Sequence, residues 1–375
     1  METQLNVPQG TFEIYRLPYR NNEKLRAWDA ADEYLLQHLF ENVLLTGESR
    51  ILILNDSFGA LAIALNAYKP VAISDSWLSR QATKINLDAN DLSPSEIQFK
   101  SSLDWPIESF DLVIIKAPKT MAFFEDQLIR LQGLITENTI VIATGMIKAM
   151  PAAVWKLLEK YIGPTKPSLA KKKARLIFAE VSIHQPFENP YPVYYQLENT
   201  EYRLCNHANV FSRDSLDIGT RFLLEHLPKR TDAKDIADLG CGNGVVGLML
   251  ADTHPLSKLY FVDESYMAVA SANENFSLAF PERVADFCIV DGLTDFKKES
   301  MDLIVCNPPF HQQNTVGNQI ALSLFKQSFR VLRKGGELWV IGNRHLGYHI
   351  DLKRLFGVCN EVAANKKFVI WQVKK

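Results

Sequence analysis

Apolar residues fall along this chain in two rhythms. Runs such as Ile51-Leu52-Ile53-Leu54, Leu112-Val113-Ile114-Ile115 and Leu303-Ile304-Val305 read as strands buried on both faces. Between such runs the spacing turns helical. Over 318–332, Ala321, Leu324, Phe325, Ser328 and Leu332 share one face, and Gly335-Gly336 follows as a stop signal. This alternation predicts a mostly parallel sheet with helices on both faces.

The pattern also repeats. Ile51 to Leu54 runs through Asn55-Asp56-Ser57-Phe58-Gly59 into a helical segment, and Asp235-Ile236-Ala237-Asp238-Leu239 runs through Gly240-Cys241-Gly242-Asn243-Gly244 into another. Further along, Asp75 after Val71-Ala72-Ile73-Ser74 aligns with Asp263 after Leu259-Tyr260-Phe261-Val262. The strand ending at Ile115 aligns with the one ending at Cys306, and Arg175 to Val181 aligns with Lys367 to Val373. Segments recurring in the same order predict two tandem α/β domains made by internal duplication, residues 1–185 and 186–375. Pro186, Pro190 and Pro192 mark the join.

Composition narrows the class. A hydrophobic content of 47% supports real cores, and a net charge of −2 makes any polyanion surface local rather than global. The five cysteines are dispersed without a C-x-x-C pair, which suits a reducing cytoplasm and points away from a structural zinc site or disulfides. The N-terminus lacks the apolar core of a signal peptide, and no long apolar run suggests a membrane span.

Candidate chemistry gathers in the second half. Gly240-x-Gly242-x-Gly244 after a strand lets the backbone approach a ligand closely, although Val245 departs from the dinucleotide fingerprint. Asp238 precedes that turn, Asp263 ends the next strand in place to hold two ribose hydroxyls, and Asp291 follows a third. These residues resemble the class I S-adenosylmethionine-dependent methyltransferases. The resemblance implies a Rossmann-like fold and no metal. It places Gly240, Gly242 and Gly244 beside the methionine part of the cofactor, Asp263 on its ribose, Asp238 toward its amino group and Asp291 near adenine. Asp286 and Asp295 stay open as alternatives to Asp291.

A fourth strand ends in Asn307-Pro308-Pro309-Phe310. The Asn307 amide and the Pro308 carbonyl supply two acceptors for the hydrogens of an exocyclic amine, and Phe310 supplies a ring to stack on a base. The motif resembles the amino-methyltransferases, which act on adenine, cytosine, guanine or glutamine amines. Residues 209–224 precede the first strand of this half. Ser212 is expected to cap a helix starting near Ser215, with Leu216, Leu223 and Leu227 on its buried face. Asp217, Gly219 and Thr220 would then lie near the cofactor mouth. Together with Asn307 to His311 and the duplicated first half, this stretch resembles the bacterial ribosomal RNA guanine-N2 methyltransferases over essentially the whole chain, their large-subunit branch best. The resemblance implies a guanosine of 23S rRNA as substrate. It implies Asn307, Pro308 and Phe310 as the catalytic set, and Asp217 and Thr220 among the cofactor residues. His311 is left outside that set. A glutamine-N5 or DNA adenine enzyme and a non-enzymatic RNA-binding assembly factor are the alternatives.

The first half lacks this chemistry. Ile53, Asn55 and Ser57 stand where Asp238, Gly240 and Gly242 do, and Lys116-Ala117-Pro118-Lys119 replaces the N-P-P-F motif. The half is therefore expected to be degenerate, holding RNA or supporting its partner. Lys171, Lys172, Lys173 and Arg175 are the first candidates for RNA contact, with Lys116, Lys119 and Lys166 adding to the basic character.

Overall fold

Each side chain of the Ile51–Leu54 run is at most 2% exposed, as a strand covered on both faces requires. Around such strands the computed structural model builds two units, Met1–Tyr191 and Pro192–Lys375, and it describes residues 2–19, 24–182, 186–230, 232–309 and 315–375.

The first unit contains, in chain order, β1 (Gln4–Val7), β2 (Gly10–Glu13), α1 (Ala30–Asn42), β3 (Ile51–Leu54), α2 (Ala60–Ala64), β4 (Val71–Ser74), α3 (Trp77–Asp88), β5 (Gln98–Ser101), β6 (Leu112–Lys116), α4 (Met121–Leu131), β7 (Ile140–Met146), α5 (Ala152–Tyr161), β8 (Thr165–Pro167) and β9 (Ala174–Ala179). Its seven-stranded sheet runs β5-β4-β3-β6-β7-β9-β8, parallel as far as β7 and antiparallel at β9 and β8.

The second unit contains β10 (Val193–Gln196), β11 (Arg203–Asn206), α6 (Ile218–Leu224), β12 (Asp235–Leu239), α7 (Val245–Thr253), β13 (Lys258–Asp263), α8 (Tyr266–Ala279), β14 (Asp286–Ile289), β15 (Met301–Cys306), α9 (Thr315–Val331), β16 (Leu332–Asn343), α10 (Tyr348–Phe356), β17 (Cys359–Ala364) and β18 (Phe368–Lys374). Its sheet runs β14-β13-β12-β15-β16-β18-β17, the same order with the same strand directions. Both units are class I methyltransferase folds.

The repeat reaches further than the strands. Asn86 accepts from Tyr15 N at 2.8 Å and donates to Tyr15 O and Phe58 O, tying the chain after the β1–β2 hairpin to α3 and to the turn before α2. Asn275 does the same in the second unit, accepting from Cys205 N at 2.6 Å and donating to Cys205 O and Asn243 O. Each unit thus starts at its hairpin.

Ladder register corrects the sequence alignment in two places. Leu54 pairs with Ile73 and Leu239 with Val262, so Ser74, not Asp75, occupies the position of Asp263. At the last strands, Ile177 opposite Ala143 matches Trp371 opposite Val340, a two-residue slip that leaves the faces unchanged. Two helix ends also differ. The helix expected over 318–332 stops at Val331, and buried Leu332 opens β16 opposite Met301, with the glycine pair inside that strand. The cap of α6 is Asp217 rather than Ser212, because a carboxylate accepts from the third helical amide whereas Ser212 turns at φ 54°. Among the described residues, no helix is long and apolar enough to cross a membrane.

Candidate functional site

The crevice lies at the carboxyl ends of β12, β13, β14 and β15, where an open α/β sheet collects its ligands. The glycine turn after β12 has three left-handed residues, Gly240, Gly242 and Gly244, at φ 74°, 54° and 78°. They serve different ends. A Cβ on Gly244 would come 2.7 Å from that of Ala272, so this glycine lets α7 and α8 pack. Among the described residues, a Cβ on Gly242 would meet nothing within 4 Å, and one on Gly240 only Asn307 O at 3.8 Å. Those two line open space, a cradle of bare backbone that side chains would fill, and it fits the cofactor's methionine end.

Two acids brace the turn. Asp238 is buried beneath it and accepts from Gly247 N at 2.8 Å. Burial pushes its carboxyl up to about 7, against the pull of that amide. Asp263 accepts from Gly242 N and Ser265 N, each at 3.0 Å, which fixes a half-buried carboxylate at the end of β13. Asp291 follows β14 at the same end of the sheet, half-buried, its carboxyl raised by burial and then by Asp295. The alternatives fit less well. Asp286 sits at the opposite end of β14 in an ion pair with Lys258 at 2.8 Å, and Asp295 is exposed.

Asn307 follows β15. Its Nδ2 donates to Thr220 Oγ1 at 2.9 Å, and its Oδ1 is buried with no hydrogen-bond partner among the described residues. A buried acceptor left so costs about 1–3 kcal/mol, which a ligand donor would recover. Pro308 is buried beside it and Pro309 exposed, while Phe310 and His311 lie outside the described residues. Thr220 is buried and Asp217 half-buried; Asp217 accepts from Thr220, which in turn accepts from Asn307. That contact has no sequence signal beyond helix capping.

The first unit fills the same space. Asn55, left-handed at φ 67° in the place of Gly240, donates to Lys116 O and exchanges two hydrogen bonds with buried Gln127. Asp56 takes over the support that Asp238 gives, accepting from Leu61 N and Ala62 N. Lys116, expected to add to the basic surface, instead lies 2.6 Å from Asp32 Oδ1 and is largely covered, so it is withdrawn as an RNA candidate. Lys171, Lys172 and Lys173 are exposed in the β8–β9 turn, with Lys172 paired to Glu33 at 3.2 Å and Lys171 over the Tyr34 ring. Arg175 is half-buried against the Trp155 ring, 5.7 Å from its centroid.

One cluster had no signal in the sequence. Cys205, His207 and Glu274 bring their sulfur, nitrogen and oxygen atoms within 4.8 Å of one another. Burial and then a hydrogen bond to Glu274 raise the Cys205 thiol to about 12, so it holds its proton.

Comparison with known proteins follows this division. The family described as RLMG N-terminal domain matches residues 2–183, and the methyltransferase small domain matches 201–372. A protein of Ectopseudomonas mendocina named ribosomal RNA large subunit methyltransferase G is 50% identical over 370 residues, covering 98% of this chain and 99% of its own. One of the same name from Stutzerimonas stutzeri is 50% identical over 367 residues, covering 98% of each chain. In fold, the chain is similar to the T. thermophilus 16S rRNA N2 G1207 methyltransferase solved with AdoMet and guanosine. The TM-score is 0.78 at 20% identity, across 100% of this chain and 97% of that one.

Proposed function

The chain belongs to the ribosomal RNA large subunit methyltransferase G family, and on that premise we propose that its second unit methylates the exocyclic N2 of a guanosine in 23S rRNA, in the cytoplasm. It is an S-adenosylmethionine-dependent methyltransferase. The cofactor supplies an electrophilic methyl group on a sulfonium. All else falls to the chain. Gly240 and Gly242 leave room for the methionine end, Asp263 and Asp291 take ribose and adenine, and Asp238 faces the amino group. An aromatic amine is a poor nucleophile because its lone pair is delocalised into the ring. Asn307 Oδ1 and the Pro308 carbonyl accept its hydrogens and turn the lone pair toward the methyl group. The target base must be single-stranded or flipped from its helix to reach them.

The unpartnered Asn307 Oδ1 carries this reading, since it is an acceptor held ready at the strand end where an amine must sit. The four motif residues alone would also suit a glutamine amide, but the relatives are named for ribosomal RNA. The first unit's proposed part is to grip RNA without reading its sequence. The test is labelled methyl transfer to rRNA from cells lacking this protein, followed by nucleoside analysis. Label in N2-methylguanosine of the large-subunit RNA is expected. Label confined to adenosine, to cytidine or to ribosomal protein would overturn the substrate.

A further inference from the structure

We infer that Asp217 and Thr220 are positioning residues that fix which way the Asn307 amide faces, and so decide that the crevice offers an acceptor rather than a donor. The inference rests on the proposed amine substrate. Asn307 alone cannot guarantee the outcome, because its oxygen and its NH2 occupy nearly the same shape. One end attracts an amine and the other repels it.

The geometry supplies the missing constraint. Asp217 caps α6, and its Oδ2 accepts from Thr220 N at 2.8 Å and from the Thr220 hydroxyl at 3.3 Å. A carboxylate only accepts, so it takes the single hydroxyl hydrogen. Thr220 Oγ1 then has only lone pairs to offer. What it meets is Asn307 Nδ2, at 2.9 Å. A flipped amide would set two oxygens against each other there and turn its NH2 toward the incoming amine. Direction therefore passes from carboxylate to hydroxyl to amide, and leaves Oδ1 as the buried acceptor without a partner among the described residues.

Two further observations agree. Thr220 is only 7% exposed, so water cannot readily substitute for its hydroxyl. A Cβ on Gly219 would come 2.9 Å from Asp217 Oδ2 and 3.0 Å from the Phe368 ring, so the glycine keeps the carboxylate's seat clear. The unit without this chemistry has also replaced both contact residues. Three positions after its own capping Asp29 stands Asp32 in the place of Thr220, and it faces Lys116 in the place of Asn307.

The test compares Thr220→Val, which keeps the shape and loses the hydroxyl, with Thr220→Ser, which keeps the hydroxyl. In the full chain, Thr220→Val should lower kcat on the RNA by about 10- to 100-fold, less than removing a preorganised polar group outright. Its S-adenosylmethionine Kd should stay within about twofold, and Thr220→Ser should restore most of the rate. In an Asn307→Ala background the same Thr220→Val change should cost almost nothing, because Thr220 acts through Asn307. A normal kcat in Thr220→Val overturns the inference, and so does an equal loss in both backgrounds. A loss seen only in cofactor Kd would make Thr220 a cofactor residue instead. Side-chain amide hydrogen exchange on 15N-asparagine-labelled protein reads the contact without RNA. The Asn307 Nδ2 hydrogens should exchange slowly in the wild type and fast in Thr220→Val, and equal rates would refute the contact even if the substrate were misassigned. An inactive wild type with protected hydrogens would instead remove the proposed substrate and keep the orientation.

Discussion

Lys116 Nζ lies 2.6 Å from Asp32 Oδ1, and the second unit fills the same two positions with Asn307 and Thr220, amide to hydroxyl at 2.9 Å. One contact has become an ion pair and the other has stayed neutral. Burial raises the Asp32 carboxyl to about 6 against the pull of Lys116. Burial works against the Lys116 charge too, but the carboxylates of Asp32, Asp56 and Asp29 outweigh it and hold its pKa above the usual lysine value.

Lys116→Met should therefore destabilise the first unit by roughly 3–5 kcal/mol at pH 7, the scale for leaving a buried charge unpaired. The sign with pH follows from Asp32. Without its partner, its folded pKa stands still further above the unfolded value near 3.9, so the penalty shrinks as pH falls and the carboxyl takes a proton. Urea unfolding at about pH 7 and about pH 5 should show the smaller loss at the lower pH. Equal losses would mean that Asp32 is not the group left stranded.

Asn307→Ala removes the buried acceptor. The methyl-transfer rate should drop by ~10²–10³ while cofactor affinity barely changes, because in the proposed site the amide holds the reacting amine and not the ribose. Single-turnover assays beside calorimetry separate the two quantities. Near-normal turnover would take Asn307 out of the mechanism.

Wild-type protein should bind one S-adenosylmethionine per chain, not two. The crevice of the first unit is occupied by Asn55, Gln127 and Lys116, and Ser74 stands where the ribose acid would be. Asp263→Ala should abolish that one event or weaken it severely, since it removes the proposed ribose acceptors and frees Gly242 N and Ser265 N as well. A titration on the full chain that fits two sites would refute the argument from Asn55 and Ser74.

Asp238 should make cofactor binding depend on pH. Its carboxyl titrates near 7 in the free protein, raised by burial. If Asp238 receives the cofactor's ammonium as proposed, the ionised form is the one that binds, so affinity should climb about tenfold per pH unit below 7 and level off above it. Stability runs the other way. The folded pKa exceeds the unfolded one, near 3.9, so the free unit loses stability as pH rises through this window. Calorimetry from about pH 5.5 to about pH 8.5 reads the binding limb, which Asp238→Asn should flatten. A wild-type profile already flat would leave Asp238 a purely structural support.

Replacing Lys171, Lys172 and Lys173 together by Ala should weaken binding to all RNA sequences alike, as phosphate contacts do. Three contacts at ~0.7 each on a single strand would make the slope of log affinity against log salt shallower by about 2. Lys172 already has Glu33, so part of its charge is spent within the unit and the change should fall short of the full three contacts. Turnover at saturating RNA should persist. An unchanged slope would return this run to ordinary surface, with Lys119 the next candidate.

What could be read in advance was what periodicity and motif carry. The strands, their order of recurrence, the glycine turn and Asn307 all sit in local patterns. Ser74 was misread as Asp75 because an acid one residue late looks like a match until the ladder fixes the register. Lys116 looked like surface because nothing near it in sequence announces Asp32, which α1 brings from far upstream. The contact of Thr220 with Asn307 has no local signal either, since it spans 87 residues. Pairings across the sheet's edge are set by tertiary packing, and one sequence does not display them.

Asn86 and Asn275 each rivet the hairpin segment, a turn and a helix with three hydrogen bonds, all of them to the chain's own backbone. Foldability and reactivity are thus written in separate residues. A gene copy relieved of its chemistry could accept Asn55, Ser74 and Lys116 one at a time, each step leaving a folded intermediate for selection to keep. Such a copy is inherited scaffolding, free to acquire a new surface while its sibling preserves the old trade.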